Sequence, residues 1–163
     1  MDSLPSDKTL LVIWHSRTGA SEAMAEAAAA SDNAMLVPAR NVSPEMLLAA
    51  AGYLFVCPEN LASMSGAMKE MFDSTYYPVL GRIEGRPYAS IIAAGSDGEG
   101  AQCQLDRIAT GWRLKRVCDP MIVNFAAQTP EAILAKKTVS DKTLKRCREM
   151  GVGFAEGLKL GIF

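Results

Sequence analysis

The feature that most limits the fold is a set of short, continuous apolar runs: Thr9 to Trp14, Gly52 to Cys57 and Tyr88 to Ala94. Each is bounded by turn formers and lacks polar alternation, so none suits an antiparallel strand with one wet face. They read as parallel strands buried on both sides. Two weaker runs, Ala34 to Val37 and Val117 to Val123, complete the set. Pro120 cannot donate to a ladder, which places the last run at an edge or gives it a bulge.

Helical patterns lie between and after these runs, the clearest being Glu22 to Ala30, Ser65 to Phe72, Ala101 to Trp112 and Asp141 to Leu160. In the last, Leu144, Cys147, Gly151, Phe154 and Leu158 form one apolar stripe, while Lys142, Lys145, Arg146, Arg148 and Glu149 fall on the outer side. Glycines 151, 153 and 157 weaken that helix, so close packing on the sheet or an approaching subunit must compensate. Alternating strands and helices with short connections require right-handed crossovers and a parallel sheet covered on both faces. Ligands of such doubly wound sheets bind beyond the carboxyl ends of the strands, at the topological switch point.

The 163 residues suffice for one domain, residues 1–163, with its own core. The net charge is -1 and both signs are spread along the chain, which argues against nucleic acid or an anionic membrane as partner. Met1 to Lys8 carries two aspartates and no apolar core, and no apolar stretch is long enough to span a bilayer. A cytoplasmic location is expected. Cys57, Cys103, Cys118 and Cys147 show no CxxC spacing, and the single histidine, His15, has no ligand-like neighbour. No metal site is expected, and the cysteines read as reduced, mostly buried thiols.

The loops after the strands carry the chemistry. Ser16-Arg17-Thr18-Gly19-Ala20-Ser21 follows the first strand and opens a helix. Three hydroxyls, a glycine and free helix-start N–H groups together make an anion site. A plain helix cap needs only one hydroxyl. Neither GxxxxGK[ST] nor GxGxxG is present, which leaves a phosphate monoester as the best-fitting anion. The segment resembles the FMN phosphate loop of the flavodoxin superfamily, written S/T-x-T-G-x-T/S.

The stretch from Cys57 to Asp73 resembles the PEYNGSIPGALKNALD segment of NAD(P)H-dependent FMN reductases, with Pro58, Glu59, Ser63, Gly66, Ala67, Lys69 and Asp73 in register. Asn60-Leu61 departs from the family's Tyr-Asn. Gly95-Ser96-Asp97-Gly98-Glu99-Gly100 is similar to the third flavin-facing loop of the same proteins. The resemblance implies a flavodoxin-like three-layer sandwich, its five parallel strands ordered 2-1-3-4-5. It also implies FMN contacts from Ser16 to Ser21, from Pro58, Glu59, Asn60, Leu61, Ala62, Ser63 and Met64, and from Gly95, Ser96, Asp97, Gly98 and Gly100. Met64, Met68, Met71 and Phe72 are also what a core-facing helix would carry.

Two functional classes share this architecture. Electron carriers of the flavodoxin type cover the flavin with aromatic rings and present a strongly acidic surface; the 58–66 and 95–100 loops have no Trp or Tyr, and the charge is near neutral. An open ring face suits hydride transfer from NAD(P)H as co-substrate, with FMN carrying the chemistry and no catalytic side chain required. The expected protein is an NAD(P)H-dependent oxidoreductase acting on quinones, flavins or similar small electron acceptors, in a homodimer or homotetramer. A carrier without direct NAD(P)H oxidation, or a non-catalytic flavin-binding protein, is the alternative. Arg17, beside that loop, reads either as a partner for the cofactor phosphate or a visiting dinucleotide's pyrophosphate, or equally as a solvated surface arginine.

Overall fold

A computed structural model describes residues 3–163; Met1 and Asp2, at the start of the segment read for a leader, lie outside the described residues. The chain runs β1 (Leu10–Trp14), α1 (Ala20–Ala28), β2 (Ala34–Pro38), α2 (Pro44–Ala49), β3 (Gly52–Asn60), β4 (Ser63–Met64) and α3 (Gly66–Val79). It continues through β5 (Pro87–Ala94), α4 (Glu99–Gly111), β6 (Lys115–Arg116), β7 (Met121–Asn124), α5 (Pro130–Leu134) and α6 (Asp141–Leu160).

The parallel sheet is ordered β2-β1-β3-β5, with β6 and β7 both pairing along the outer side of β5. This is the expected 2-1-3-4-5 order of a flavodoxin-like fold, its fifth position shared by two short strands. The break between them contains Cys118, Asp119 and Pro120. A proline without an N–H interrupts the ladder there, on an edge where the interruption is tolerated.

Every β1 residue from Leu10 to Ile13 is buried, and successive side chains join opposite sides of the sheet. Leu11 and Ile13 pack with Met68 and Phe72 of α3 and with Ala101 and Leu105 of α4. Leu10 and Val12 pack with Met24 and Ala25 of α1 and with Phe154 and Leu158 of α6. That two-sided burial is why these runs read as uninterrupted apolar sequence. On the α3–α4 side, Phe72 lies 4.9 Å from Phe55 and 5.2 Å from Trp112 by ring centroids, an aromatic cluster under the sheet.

Two of the three α6 glycines are compensated by close packing within the chain. A Cβ at residue 151 would lie 1.8 Å from the Ala28 carbonyl oxygen, so α6 crosses α1 at backbone contact and only glycine fits. At residue 157 it would meet the Phe163 ring at 2.4 Å, whereas at 153 nothing lies within 4 Å. Among the described residues, no helix is long and apolar enough to cross a membrane. All four cysteines are free thiols, but Cys103 and Cys118 are exposed, contrary to the expected burial. Cys103 occupies a solvent-facing position of α4, and Cys118 lies in the break of the edge strand.

Candidate functional site

β1 is flanked by β2 on one side and β3 on the other, so chain direction across the sheet reverses beside it. The switch point therefore lies at the carboxyl end of β1, where ligands of this architecture bind. A cleft of about 660 Å³, counting its open mouth, lies there. Its walls include Ser16, Arg17, Thr18, Ala20 and Ser21 from the first loop. Pro58, Glu59 and Asn60 come from the end of β3, and Gly95 from the loop after β5.

The first loop has the features of an anion cradle. Gly19, at φ 95°, turns the chain into α1, and no side chain caps that helix among the described residues. Ser16 Oγ accepts the Gly19 N–H at 3.0 Å, which shapes the loop and leaves its own hydroxyl proton free to donate. Ser21 Oγ is buried and has no hydrogen-bond partner among the described residues. An orphaned hydroxyl in a cleft wall at a helix N-terminus is the mark of a place an anion fills. The donor set, hydroxyls and backbone amides around a helix start, fits the phosphate of FMN.

The β3 loop is more ordered than a flexible wrap. Glu59 and Asn60 pair with Met64 and Ser63 in a tight antiparallel hairpin. Its two turn residues, Leu61 at φ 52° and Ala62 at φ 61°, both occupy the left-handed region that favours glycine or asparagine. Leu61 is fully exposed, while Met64 turns into the core and its N–H donates to Gln104 Oε1 at 2.8 Å. Leu61 to Met64 thus build the hairpin beside the cleft rather than its wall.

Glu59 has a role that sequence reasoning missed. Its Oε1 accepts the Gly98 N–H and its Oε2 the Ala101 N–H, each at 2.9 Å, so the carboxylate caps α4 from the neighbouring strand. The 95–100 loop is held elsewhere too. A Cβ would lie 2.6 Å from Ala127 O at residue 95, 2.4 Å from Ile122 Cγ2 at 98 and 2.3 Å from Ala62 O at 100. These glycines admit neighbouring protein. Ser96 and Asp97 are exposed and lie outside the cleft wall.

His15 follows β1 with Nδ1 2.8 Å from Ser65 Oγ, linking the first loop to the start of α3. Burial, reinforced by the nearby Arg17 and Arg40 cations, lowers its pKa below the ordinary value and favours the neutral ring. One residue before the cleft's Pro58, burial pushes the Cys57 thiol up to about 12, which makes it an inert core group.

The remaining wall comes from a segment with no legible periodicity. Phe125 and Ala127 follow β7, and Ile133, Leu134 and Lys137 belong to a strap formed by α5 and its flanks. The Lys137 N–H donates to Thr18 O at 2.8 Å, laying the strap against the phosphate loop. No regular spacing in the sequence marks these residues; only their place after the last strand does.

Comparison with known proteins agrees with this geometry. The model of a family described as NADPH-dependent FMN reductase matches residues 18–128, more than half of the chain. A WrbA-like flavodoxin from Agrobacterium tumefaciens superposes with a TM-score of 0.75 at 19% identity, covering 93% of this chain and 98% of that one. An archaeal flavodoxin gives 0.74 at 19% identity, covering 93% and 99%. A flavone reductase gives 0.72 at 18% identity, covering 93% of this chain and 63% of its own. At these identities the likeness is one of fold. No curated protein matches the chain in sequence.

Proposed function

The chain belongs to the NADPH-dependent FMN reductase family, and from that premise we propose that it oxidises NAD(P)H and passes the electrons to a small acceptor such as a quinone or free flavin. The observation that carries the reading is the unpartnered, buried Ser21 hydroxyl at the start of α1, in the wall of a cleft at the switch point. Ser16, Thr18 and Ser21, with the first amides of α1, would hold the phosphate of FMN. Pro58, Asn60 and Gly95 would line the path from phosphate to ring. When bound, FMN supplies the redox chemistry, taking hydride from NAD(P)H and releasing electrons to the acceptor in a ping-pong cycle.

The protein's own contribution is position and electrostatics. Glu59 fixes α4 against β3, and the neutral His15 ties the first loop to α3 without adding charge. No side chain in the cleft is required to move a proton. Neither Trp nor Tyr lines the cleft among the described residues, which supports a face open to nicotinamide; the one aromatic wall residue, Phe125, is half-buried after β7. Residues 1–163 act as one FMN-binding domain on this reading. A homodimer or homotetramer is part of the same reading, with Tyr77, 78% exposed on α3, as its candidate contact.

The test is direct. The purified protein is loaded with FMN and mixed with NADH or NADPH without oxygen; bleaching of the flavin absorbance, reversed by a small quinone, is the expected result. A flavin that stays oxidised under millimolar NAD(P)H but is reduced by a ferredoxin-type reductase would assign the protein to the electron carriers instead.

A further inference from the structure

The family match ends at residue 128, and the strap begins just beyond it. α5 is five residues long and buries none of them, far too short to persist by its own propensity. Lys137 holds it. Its Nζ donates to the carbonyls of Ala132, Ile133 and Ala135 at 2.7, 3.0 and 2.7 Å, while its backbone N–H reaches Thr18 O. The same residue fastens the strap internally and fastens it to the phosphate loop.

The three carbonyls match the three hydrogens of an ammonium, so this cation is held in place rather than swinging in solvent. It is half-buried and lines the same cleft as Ser16, Thr18 and Ser21. The cleft wall contains three charged residues, Arg17, Glu59 and Lys137. Both oxygens of Glu59 are engaged by the Gly98 and Ala101 amides, and Arg17 is exposed and forms no salt bridge among the described residues. Among the described residues of the cleft wall, the one half-buried cation is therefore on the strap.

We propose that Lys137 is the counter-charge for the phosphate of the bound cofactor, a binding residue contributed by a segment outside the family-matched region. The inference rests on the reading that FMN occupies this cleft. A phosphate monoester carries about 1.5 to 2 negative charges at neutral pH, and hydroxyls and amides alone leave that charge uncompensated. A cation held in a concave wall acts on it with less screening than one in solvent. The commitment is to the cofactor's phosphate; the phosphates of a visiting NADPH belong to a different ligand and are absent from the test.

Affinities for FMN and for riboflavin, which lacks the phosphate, are measured by quenching of flavin fluorescence in low and moderate salt, with no pyridine nucleotide present. The wild-type protein tests the underlying reading by itself: FMN must bind, and more tightly than riboflavin. Lys137→Met keeps most of the stem and removes the charge. The three carbonyls occupy every ammonium hydrogen, so the charge acts through space; the variant is expected to lower the preference for FMN over riboflavin by about threefold or more and to flatten the salt dependence of FMN binding. Lys137→Arg is expected to restore the preference for FMN. Equal weakening of both flavins would show that Lys137 only fastens the strap, and would overturn the proposal. So would an unchanged FMN affinity, or a failure of arginine to rescue it. A wild-type protein that binds both flavins equally would remove the phosphate-site reading first.

Discussion

Replacing Glu59 by glutamine isolates the one side chain that joins two of the site's loops. The carboxylate accepts two backbone N–H groups at 2.9 Å each, those of Gly98 and Ala101, at the start of α4. Glutamine is nearly isosteric, but its NH₂ can accept neither bond, so one amide loses its partner and the helix start loses its negative charge. A hydrogen bond to a charged group contributes roughly 1.5–3 kcal/mol, and a charge at a helix N-terminus roughly 0.3–1 kcal/mol. Glu59 is half-buried, and water can partly repair the loss. The expected cost is therefore about 2–3 kcal/mol, a fall in Tm of roughly 5–10 °C for a chain this long. Calorimetry of the protein without flavin measures it, and hydrogen exchange at the Gly98 and Ala101 amides localises it. A Tm within about 1 °C of wild type, with those amides still protected, would refute the capping role.

Three further outcomes follow from the geometry. Ala62→Gly relieves a left-handed alanine worth about 1–2 kcal/mol but adds chain entropy of roughly 0.5–1 kcal/mol, so urea unfolding should show a net gain of about 0.5–1 kcal/mol; a loss would contradict the turn conformation. Gly151→Ala drives a Cβ into the Ala28 carbonyl and should cost at least about 2 kcal/mol, whereas Gly153→Ala, with open space around it, should gain roughly 0.5–1 kcal/mol; the pair should move the urea midpoint in opposite directions. The depressed pKa of His15 means that the unfolded chain takes up its proton first, so this residue's share of stability is whole above pH 6.5 and is lost as pH falls through the lower folded value; wild type should lose more stability between pH 7.5 and 5.5 than His15→Gln, and equal slopes would contradict the assignment.

The strands were legible because burial on both faces leaves their central stretches almost wholly apolar, and α6 matches its sequence boundaries because its stripe persists over several turns. The phosphate loop was legible for a different reason: hydroxyls, glycine and a helix start coincide within six residues, and the cleft forms around that segment. The motif around Glu59 points to the cleft, whose wall includes it, but the partners of its carboxylate lie about forty residues away, where no local pattern points. The strap escaped because α5 buries no side chain and so imposes no apolar period. Likewise the glycines of the 95–100 loop announce close approach in sequence, but not what approaches.

What approaches them explains how the cleft keeps its shape. Gly100 admits the Ala62 carbonyl of the hairpin, Gly98 the Ile122 side chain of β7, and Gly95 the carbonyl of Ala127 beyond it. Glu59 ties β3 to α4, His15 ties β1 to α3, and Lys137 ties the strap back to Thr18. Each loop around the switch point is thus fastened to another loop as well as to its own strand. Loops are ordinarily the mobile part of such a sheet, but these contacts fix them before any ligand arrives. Ordering that is already present need not be drawn from binding energy. A site whose bound group carries the chemistry needs position more than it needs an acid or a base, and in this chain position is maintained by close contacts that only glycine permits together with the Glu59 and His15 hydrogen bonds.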